Sequence, residues 1–259
     1  NAFIDAAQAH KDRRQDAGIR PCRGAGAARR IGGRPAEGSD MADRGRRPPD
    51  APGLDARLAF GPEDAEVLER ETAWAGFFRM DVLRVRHRLF EGGWSEPVRR
   101  ELFVRGPAVV LVPYDPRKDR VVMIEQFRIG ALDVPGSPWH LEFVAGIAEP
   151  GEAPEDVARR EAEEEAGLRP DPVEFLHRYQ VSPGGNTEEI LVYVGCVDSD
   201  RADGVHGLAE EHEDIRVHVL DLPVALAGLA AGEVRNAAAI IGLQWLALHR
   251  ESLRTRWLR

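Results

Sequence analysis

The pattern of hydrophobic and polar positions predicts strands from about Glu66 onward. Hydrophobic residues and His87 alternate with arginines between Leu83 and Leu89, and Glu91-Gly92-Gly93 then supplies a turn. The chain is extended again over Val98–Val104. This succession predicts a β-hairpin with one polar face.

Longer apolar runs predict buried strands farther along the chain. Two of them are joined by the polar turn 115–119, and the strand segments are Ala108–Pro113, Val121–Phe127, Ile190–Val197 and Val217–Leu220. Helical spacing covers Pro154–Ala166, and Gly167 suits the left-handed position that follows a helix. A C-terminal core helix is predicted after the capping residue Asn236.

Composition narrows the class of protein. The 259 residues are 43% hydrophobic, which is enough to form the core of one or two domains. Their net charge of −9 argues against a general nucleic-acid-binding protein, because such proteins carry basic surfaces. Cys22 and Cys196 lie far apart without metal-binding companions, which favours a reducing compartment. Neither a secretory signal nor a membrane-spanning stretch is evident, so we expect a cytoplasmic protein with no membrane partner.

The first 53 residues differ in composition from the rest. They contain 11 basic and 7 acidic residues with one aromatic, Phe3, and their net +4 leaves −13 for the remainder. Such a segment cannot build a core, so we predict a disordered basic tail, with a targeting arm as the alternative and Met41 as a candidate natural start.

The segment GIAEPGEAPEDVARREAEEEAGL at 146–168 carries the chemistry. On a helix, Glu161, Glu164 and Glu165 share a sector of about 100°, beside a stripe of alanines that can lie close to a sheet. Like charges crowded on a partly buried face need compensation, which a divalent cation supplies. A solvated acidic face is the alternative for the triplet considered alone.

The same segment resembles the Nudix box, G-x5-E-x7-R-E-U-x-E-E-x-G-U, where U is a bulky aliphatic residue. The matching positions are Gly146, Glu152, Arg160, Glu161, Glu164, Glu165, Gly167 and Leu168. Ala162 departs from the pattern at the first U position. The resemblance extends from about Phe77 to the C-terminus and is closest to bacterial ADP-ribose pyrophosphatases. It implies an α/β fold, an α/β/α sandwich with a mixed sheet, preceded by a small antiparallel sheet.

The resemblance also implies a domain plan and a metal site. It places an N-terminal β unit for dimerisation and adenine binding at 54–105 and the catalytic domain at 106–259. The metal ligands would be Glu161, Glu164, Glu165, Glu213 and the carbonyl of Ala145. Gly146, Glu152, Arg160 and Gly167 would shape the motif. An all-oxygen donor set suits Mg²⁺, or Mn²⁺ in its place.

A base outside the box is implied as well. By resemblance, Glu211 in the acidic loop 207–216 is the general base, and a solvated turn is the alternative for these acids taken alone. The substrate contacts implied are Phe77, Phe78, Arg100, Glu101, Arg105, Arg128, Ile147, Ser182, Pro183, Gly184 and Glu188. Taken singly, the Phe77-Phe78 pair could be core, Arg128 a surface residue and Pro183 an ordinary turn.

The function implied is hydrolysis of the nucleotide sugar ADP-ribose to AMP and ribose 5-phosphate, by a homodimer with a composite active site. The alternative within enzymes is hydrolysis of GDP-mannose or a broader set of sugar nucleotides. The alternative from another class is a nucleotide sensor without catalysis. The intact box and the absence of a helix-turn-helix pattern in residues 1–53 favour the enzyme.

Overall fold

The computed structural model describes residues 54–148, 151–208 and 212–259. The predicted tail and the base Glu211 therefore lie outside the described residues. The strands are β1 Ala65–Ala75, β2 Arg79–His87, β3 Val98–Val104, β4 Ala108–Asp115, β5 Arg120–Phe127, β6 Trp139–Glu142, β7 Val144–Ile147, β8 Val173–Gln180, β9 Glu189–Cys196, β10 Val205–His206 and β11 Ile215–Asp221. The helices are α1 Pro154–Ala166, α2 Leu222–Ala230 and α3 Ala237–Trp257.

The strands form two sheets. The small sheet is antiparallel in the order β1-β2-β3, and β2 and β3 are the predicted hairpin. The large sheet runs β10-β11-β5-β4-β9-β8, with β6 beside β5 and β7 beside β4. Its β4–β9 pair is parallel and its other pairs are antiparallel, so the predicted mixed sheet is confirmed.

The apolar runs explain the central strands. Every residue of β4 is buried, because this strand has packed layers on both faces. One layer contains Val157, Ala158, Ala162 and Ala166 of α1, and the other contains Leu243, Leu246 and Leu253 of α3. The α/β/α sandwich is therefore confirmed.

Both predicted helices are confirmed, α1 at both of its ends and α3 at its start. Helix α1 spans Pro154–Ala166 and ends at Gly167, which has φ 64° and donates its N–H to the carbonyl of Glu163, while the N–H of Leu168 donates to the carbonyl of Ala162. Helix α3 is capped by Asn236, whose side chain accepts from the N–H of Ala239 at 3.0 Å. Among the described residues, no helix is long and apolar enough to cross a membrane.

Gly242 tests the packing of α3 on the sheet. A Cβ at this position would lie 2.7 Å from Cγ2 of Val112 and 2.8 Å from Cε2 of Phe143. Helix propensity alone predicts that Gly242→Ala stabilises the protein by about 1 kcal/mol. We expect instead a loss of about 1–3 kcal/mol in the free energy of unfolding, because the core must move.

The measurement is urea denaturation, with Ala247→Gly on the exposed side of α3 as the reference for propensity alone. A more stable Gly242→Ala protein would contradict the close approach of α3 to β4.

Candidate active site

The carboxylates of α1 occupy the edge of its buried face. Glu165 is 2% exposed, whereas Glu161 and Glu164 are partly buried. The alanine stripe at 158, 162 and 166 is buried against the sheet, as predicted, so the helix lies close enough to carry the three acids onto the strand ends.

Arg160 binds the acids together. Its Nη1 donates to Oε1 of Glu161 at 2.7 Å and to Oε2 of Glu164 at 2.9 Å, and its Nε donates to Oε1 of Glu152 at 3.0 Å. These hydrogen bonds and charges raise the pKa of the Arg160 guanidinium, the bond to Glu152 most strongly. One guanidinium thus links the loop before α1 to two carboxylates of the helix.

Glu165 and Glu161 are seated against β7. Oε2 of Glu165 accepts the N–H of Ala145 at 2.9 Å. A Cβ at position 146 would overlap the Glu161 carboxylate, so the glycine there makes room for that carboxylate. Burial raises the pKa of Glu165 to about 8, and the charges of Glu161 and Glu213 add to that rise.

Glu213 approaches the same centre from the loop before β11. Oε2 of Glu213 accepts a hydrogen bond from the N–H of Leu208 at 3.3 Å. A Cβ added at Gly207 would lie 2.7 Å from the Cβ of Glu213, so the glycine allows this close approach. Burial and the charges of Glu164 and Glu213 raise the pKa of Glu161, and together they outweigh the lowering effect of Arg160. The chain therefore gathers negative charge that its own cations only partly offset.

This donor set fits a hard divalent cation. The side chains contribute oxygen only, two of the carboxyls have raised pKa values, and Gly146 leaves space beside Glu161. Within the described ranges, no three acidic, histidine or cysteine side chains already form a ready-made metal cage. Arg160 instead holds two of the carboxylates.

Arg128 lies beyond the end of β5 and reaches back over the sheet to Glu142. Its Nη2 donates to Oε2 of Glu142 at 2.6 Å, and its Nε lies 3.0 and 3.2 Å from the two carboxylate oxygens. Burial lowers the pKa of Arg128, but the bonds to Glu142 and the charges of Glu142, Glu165 and Glu213 raise it above its ordinary value. Arg128 therefore borders the carboxylate centre. Glu142 was not anticipated, although an acid within an apolar strand could have signalled it.

A second cluster joins the small sheet to the loop before β9. Nη2 of Arg105 lies 3.0 Å from Oε1 of the buried Glu188, and the Arg105 guanidinium lies 4.8 Å above the ring of Phe78. Phe77 contacts Phe78 edge-on with ring centroids 4.7 Å apart and is itself 85% exposed. The structure thus brings together four predicted substrate residues, Phe77, Phe78, Arg105 and Glu188.

Other predicted substrate residues lie apart from the carboxylates or at the surface. Arg100 and Glu101 are exposed on β3 and bond locally to Arg99. Ile147 is exposed at the end of β7. Ser182, Pro183 and Gly184 form an exposed turn, and the following residues attach it to β3 through the bond from the N–H of Phe103 to the carbonyl of Gly185 at 2.8 Å.

Comparison with known proteins gives the family of the chain. The family model described as the NUDIX domain matches residues 104–238. The chain belongs to the Nudix family. It is 51% identical over 200 residues to the ADP-ribose pyrophosphatase of Escherichia coli (strain K12), covering 77% of this chain and 96% of that protein. The Haemophilus influenzae ADP-ribose pyrophosphatase is 45% identical over 203 residues, covering 77% and 94%.

More distant relatives extend the comparison. The GDP-mannose pyrophosphatase of Enterobacter sp. (strain 638) is 35% identical over 153 residues, covering 58% of this chain and 78% of that protein. The crystal structure of an ADP compounds hydrolase shares the fold with a TM-score of 0.55 at 21% identity, covering 71% of this chain and 95% of that one. The chain is thus a Nudix hydrolase, as the box predicted, and it resembles ADP-ribose pyrophosphatases.

The raised pKa of Glu165 predicts how the stability of this Nudix hydrolase depends on pH. A carboxyl with a folded-state pKa near 8 and an ordinary unfolded pKa binds more protons when folded. The metal-free protein should therefore lose stability as pH rises from about 5 to about 8, and Glu165→Gln should lose less over the same interval.

The measurement is the thermal midpoint across that pH interval in chelator, with Glu163→Gln on the exposed side of α1 as the matched control. When the chelator is replaced by Mg²⁺, the thermal midpoint of the wild type should rise more than that of Glu165→Gln. If the thermal midpoints of the wild type and Glu165→Gln changed identically with pH, a raised pKa of the buried Glu165 carboxyl would be contradicted.

Proposed function

We propose that this Nudix hydrolase cleaves the pyrophosphate bond of ADP-ribose, giving AMP and ribose 5-phosphate. The observation that carries the proposal is its alignment with 96% of an ADP-ribose pyrophosphatase at 51% identity. The site supports the proposal, because Gly146 makes room for the Glu161 carboxylate and the carboxylates lie near Arg128. A guanidinium of this kind is well suited to binding phosphate.

We propose Glu161, Glu164, Glu165, Glu213 and the Ala145 carbonyl as the ligands of Mg²⁺, for which Mn²⁺ can substitute. When bound, the cation neutralises phosphate charge and lowers the pKa of a coordinated water. Arg160 and Glu152 hold the ligands in place through the bonds described above.

Glu211 is the proposed base. Its carboxylate takes the proton of the attacking water, a new oxygen–phosphorus bond forms, and the bridging oxygen–phosphorus bond breaks to release the two monophosphates. Arg128 offsets the charge of the diphosphate, because a chain of net charge −9 otherwise repels it.

The remaining predicted contacts serve the two ends of the substrate. An exposed Phe77 ring supported by Phe78 offers a flat face for adenine, and such stacking contributes about 1–3 kcal/mol per base. Arg100, Glu101, Arg105, Ile147, Glu188 and the turn formed by Ser182, Pro183 and Gly184 are the proposed polar and backbone contacts.

The test is a substrate panel with Mg²⁺, containing ADP-ribose, GDP-mannose, ADP-glucose and NADH, with products separated by chromatography. We expect ADP-ribose to react fastest and to give AMP. Comparable rates across the panel would reduce the activity to general sugar-nucleotide hydrolysis, and preferential release of GMP would indicate a GDP-mannose enzyme. Nucleotide binding without any product would indicate a sensor.

Replacement of the base should separate chemistry from metal binding. We expect Glu211→Gln to lower kcat by about 10²-fold or more, because the amide cannot take the proton. Affinity for Mn²⁺, measured by calorimetry, should remain near that of the wild type. Turnover close to wild type would assign the base to another residue.

A homodimer is proposed with the β unit at 54–105 as its contact, so that one protomer completes the site of the other. The support is β1, which is exposed along most of its length and carries Val67 and Trp74, each 58% exposed. Sedimentation should show a dimer, and Trp74→Arg should shift it toward monomer with loss of activity. A fully active monomer would contradict the composite site.

A further inference from the structure

Four polar side chains line up across β5 and β6 next to the carboxylate centre. In this antiparallel pair Gln126 is opposite His140 and Ile124 is opposite Glu142, so Gln126, His140 and Glu142 share one face of the sheet. Arg128, two residues beyond Gln126, reaches along this face to Glu142. We call Gln126, His140 and Glu142 the polar floor, and the Arg128 guanidinium lies against it.

This polar floor is buried and incompletely bonded. Gln126 is 7% exposed and Glu142 is 3% exposed, and the His140 side chain is 16% exposed. Nε2 of Gln126 and Nε2 of His140 are both buried without a hydrogen-bond partner among the described residues. Buried polar atoms of this kind normally have partners, so two unpaired ones on facing residues require an explanation.

The geometry around His140 supplies one. Its Nδ1 lies 3.8 Å from Oε1 of Glu142, close enough for a small rotation or one water to complete a bond. If Nδ1 carries the proton, Nε2 has a free lone pair, which is the acceptor that the Gln126 amide lacks. The two unpaired atoms are then a donor and an acceptor on directly opposed residues.

We propose that Gln126, His140 and Glu142 form a hydrogen-bonded relay that orients Arg128 toward the substrate diphosphate. In this relay, small side-chain rotations bring the Gln126 amide within bonding distance of Nε2 of His140, and Nδ1–H of His140 within bonding distance of Glu142, which already holds Arg128. This inference rests on the proposed function through the role of Arg128 alone.

The bonds to Glu142 determine which edge of Arg128 is available. They use Nε and Nη2, and Nη1 has no hydrogen bond within the described part of the chain. A guanidinium fixed along one edge presents the remaining donors at a defined angle, which costs less entropy when a phosphate arrives. His140 is therefore a positioning residue and does not touch the reacting atoms.

The kinetic test uses substitutions at His140 in the full chain. His140→Leu should raise KM for ADP-ribose about tenfold with kcat within about twofold of wild type, because Arg128 contributes to binding before and during reaction. His140→Asn, whose amide nitrogen replaces Nδ1, should restore KM better than His140→Gln, whose amide nitrogen replaces Nε2. A wild-type KM in His140→Leu, or better rescue by Gln than by Asn, would overturn the relay.

A matched control lies on the other face of the same strand. His218 bonds through Nε2 to Oε2 of Glu125 at 2.8 Å, and Glu125 alternates with Gln126 along β5. His218→Leu removes an equivalent histidine–glutamate pair and should leave KM unchanged. An equal rise of KM in both variants would indicate a general loss of sheet integrity and overturn the proposal.

A second readout does not depend on activity. The ¹⁵N shifts of the His140 ring, assigned by their loss in His140→Leu, should report the Nδ1–H tautomer. The Nε2–H tautomer would overturn the relay whatever the substrate is. If the wild type fails to cleave ADP-ribose while the Nδ1–H tautomer is present, the proposed function fails and the relay stands.

Discussion

The central constraint on this structure is that three glutamates, Glu161, Glu164 and Glu165, lie at the partly buried face of helix α1. Glu165 is almost fully buried, yet within the described part of the chain its carboxylate accepts a hydrogen bond only from the N–H of Ala145. Burial of a charge without full compensation is costly, and the raised pKa of Glu165 expresses that cost. The divalent cation proposed above would offset this cost, because its positive charge would stabilise the ionised carboxylates.

The local sequence is organised around that constraint. Alanines at 158, 162 and 166 let α1 approach the sheet, and Gly146 removes the one Cβ that would displace Glu161. Arg160 then joins Glu161 and Glu164 to the preceding loop through Glu152. Gly146, Glu152 and Arg160 of the motif therefore either make room for a carboxylate or link the acids together, whereas Gly167 ends the helix.

Positive charge is supplied separately by arginines that are themselves held by acids. Arg128 is bound to Glu142 on one side of the site, and Arg105 is bound to Glu188 where the small sheet meets the loop before β9. Because each guanidinium has a fixed partner, it would present already oriented donors to the diphosphate of the proposed substrate.

The sequence by itself determined the elements whose pattern is strong and local. Helix α1 and its end at Gly167, the cap at Asn236, the β2–β3 hairpin and the buried strands β4 and β5 all follow from periodicity and turn residues. The short strands β6 and β7 were not anticipated, since a few residues of pattern cannot specify a strand. The longer strand β8 was not anticipated either, and a register shift between Phe175 and His177 interrupts its alternation. The acids of the box were likewise identified by spacing and resemblance alone.

Only the tertiary structure decided which partners the predicted residues meet. It paired Arg128 with Glu142 and Arg105 with Glu188, and it placed Gln126 opposite His140. These residues are 14, 83 and 14 positions apart, so their contact depends on sheet register and not on local propensity. Burial, and with it the pKa of Glu165, is also a property of the packed layers, because the same side chain on an isolated helix would remain in water.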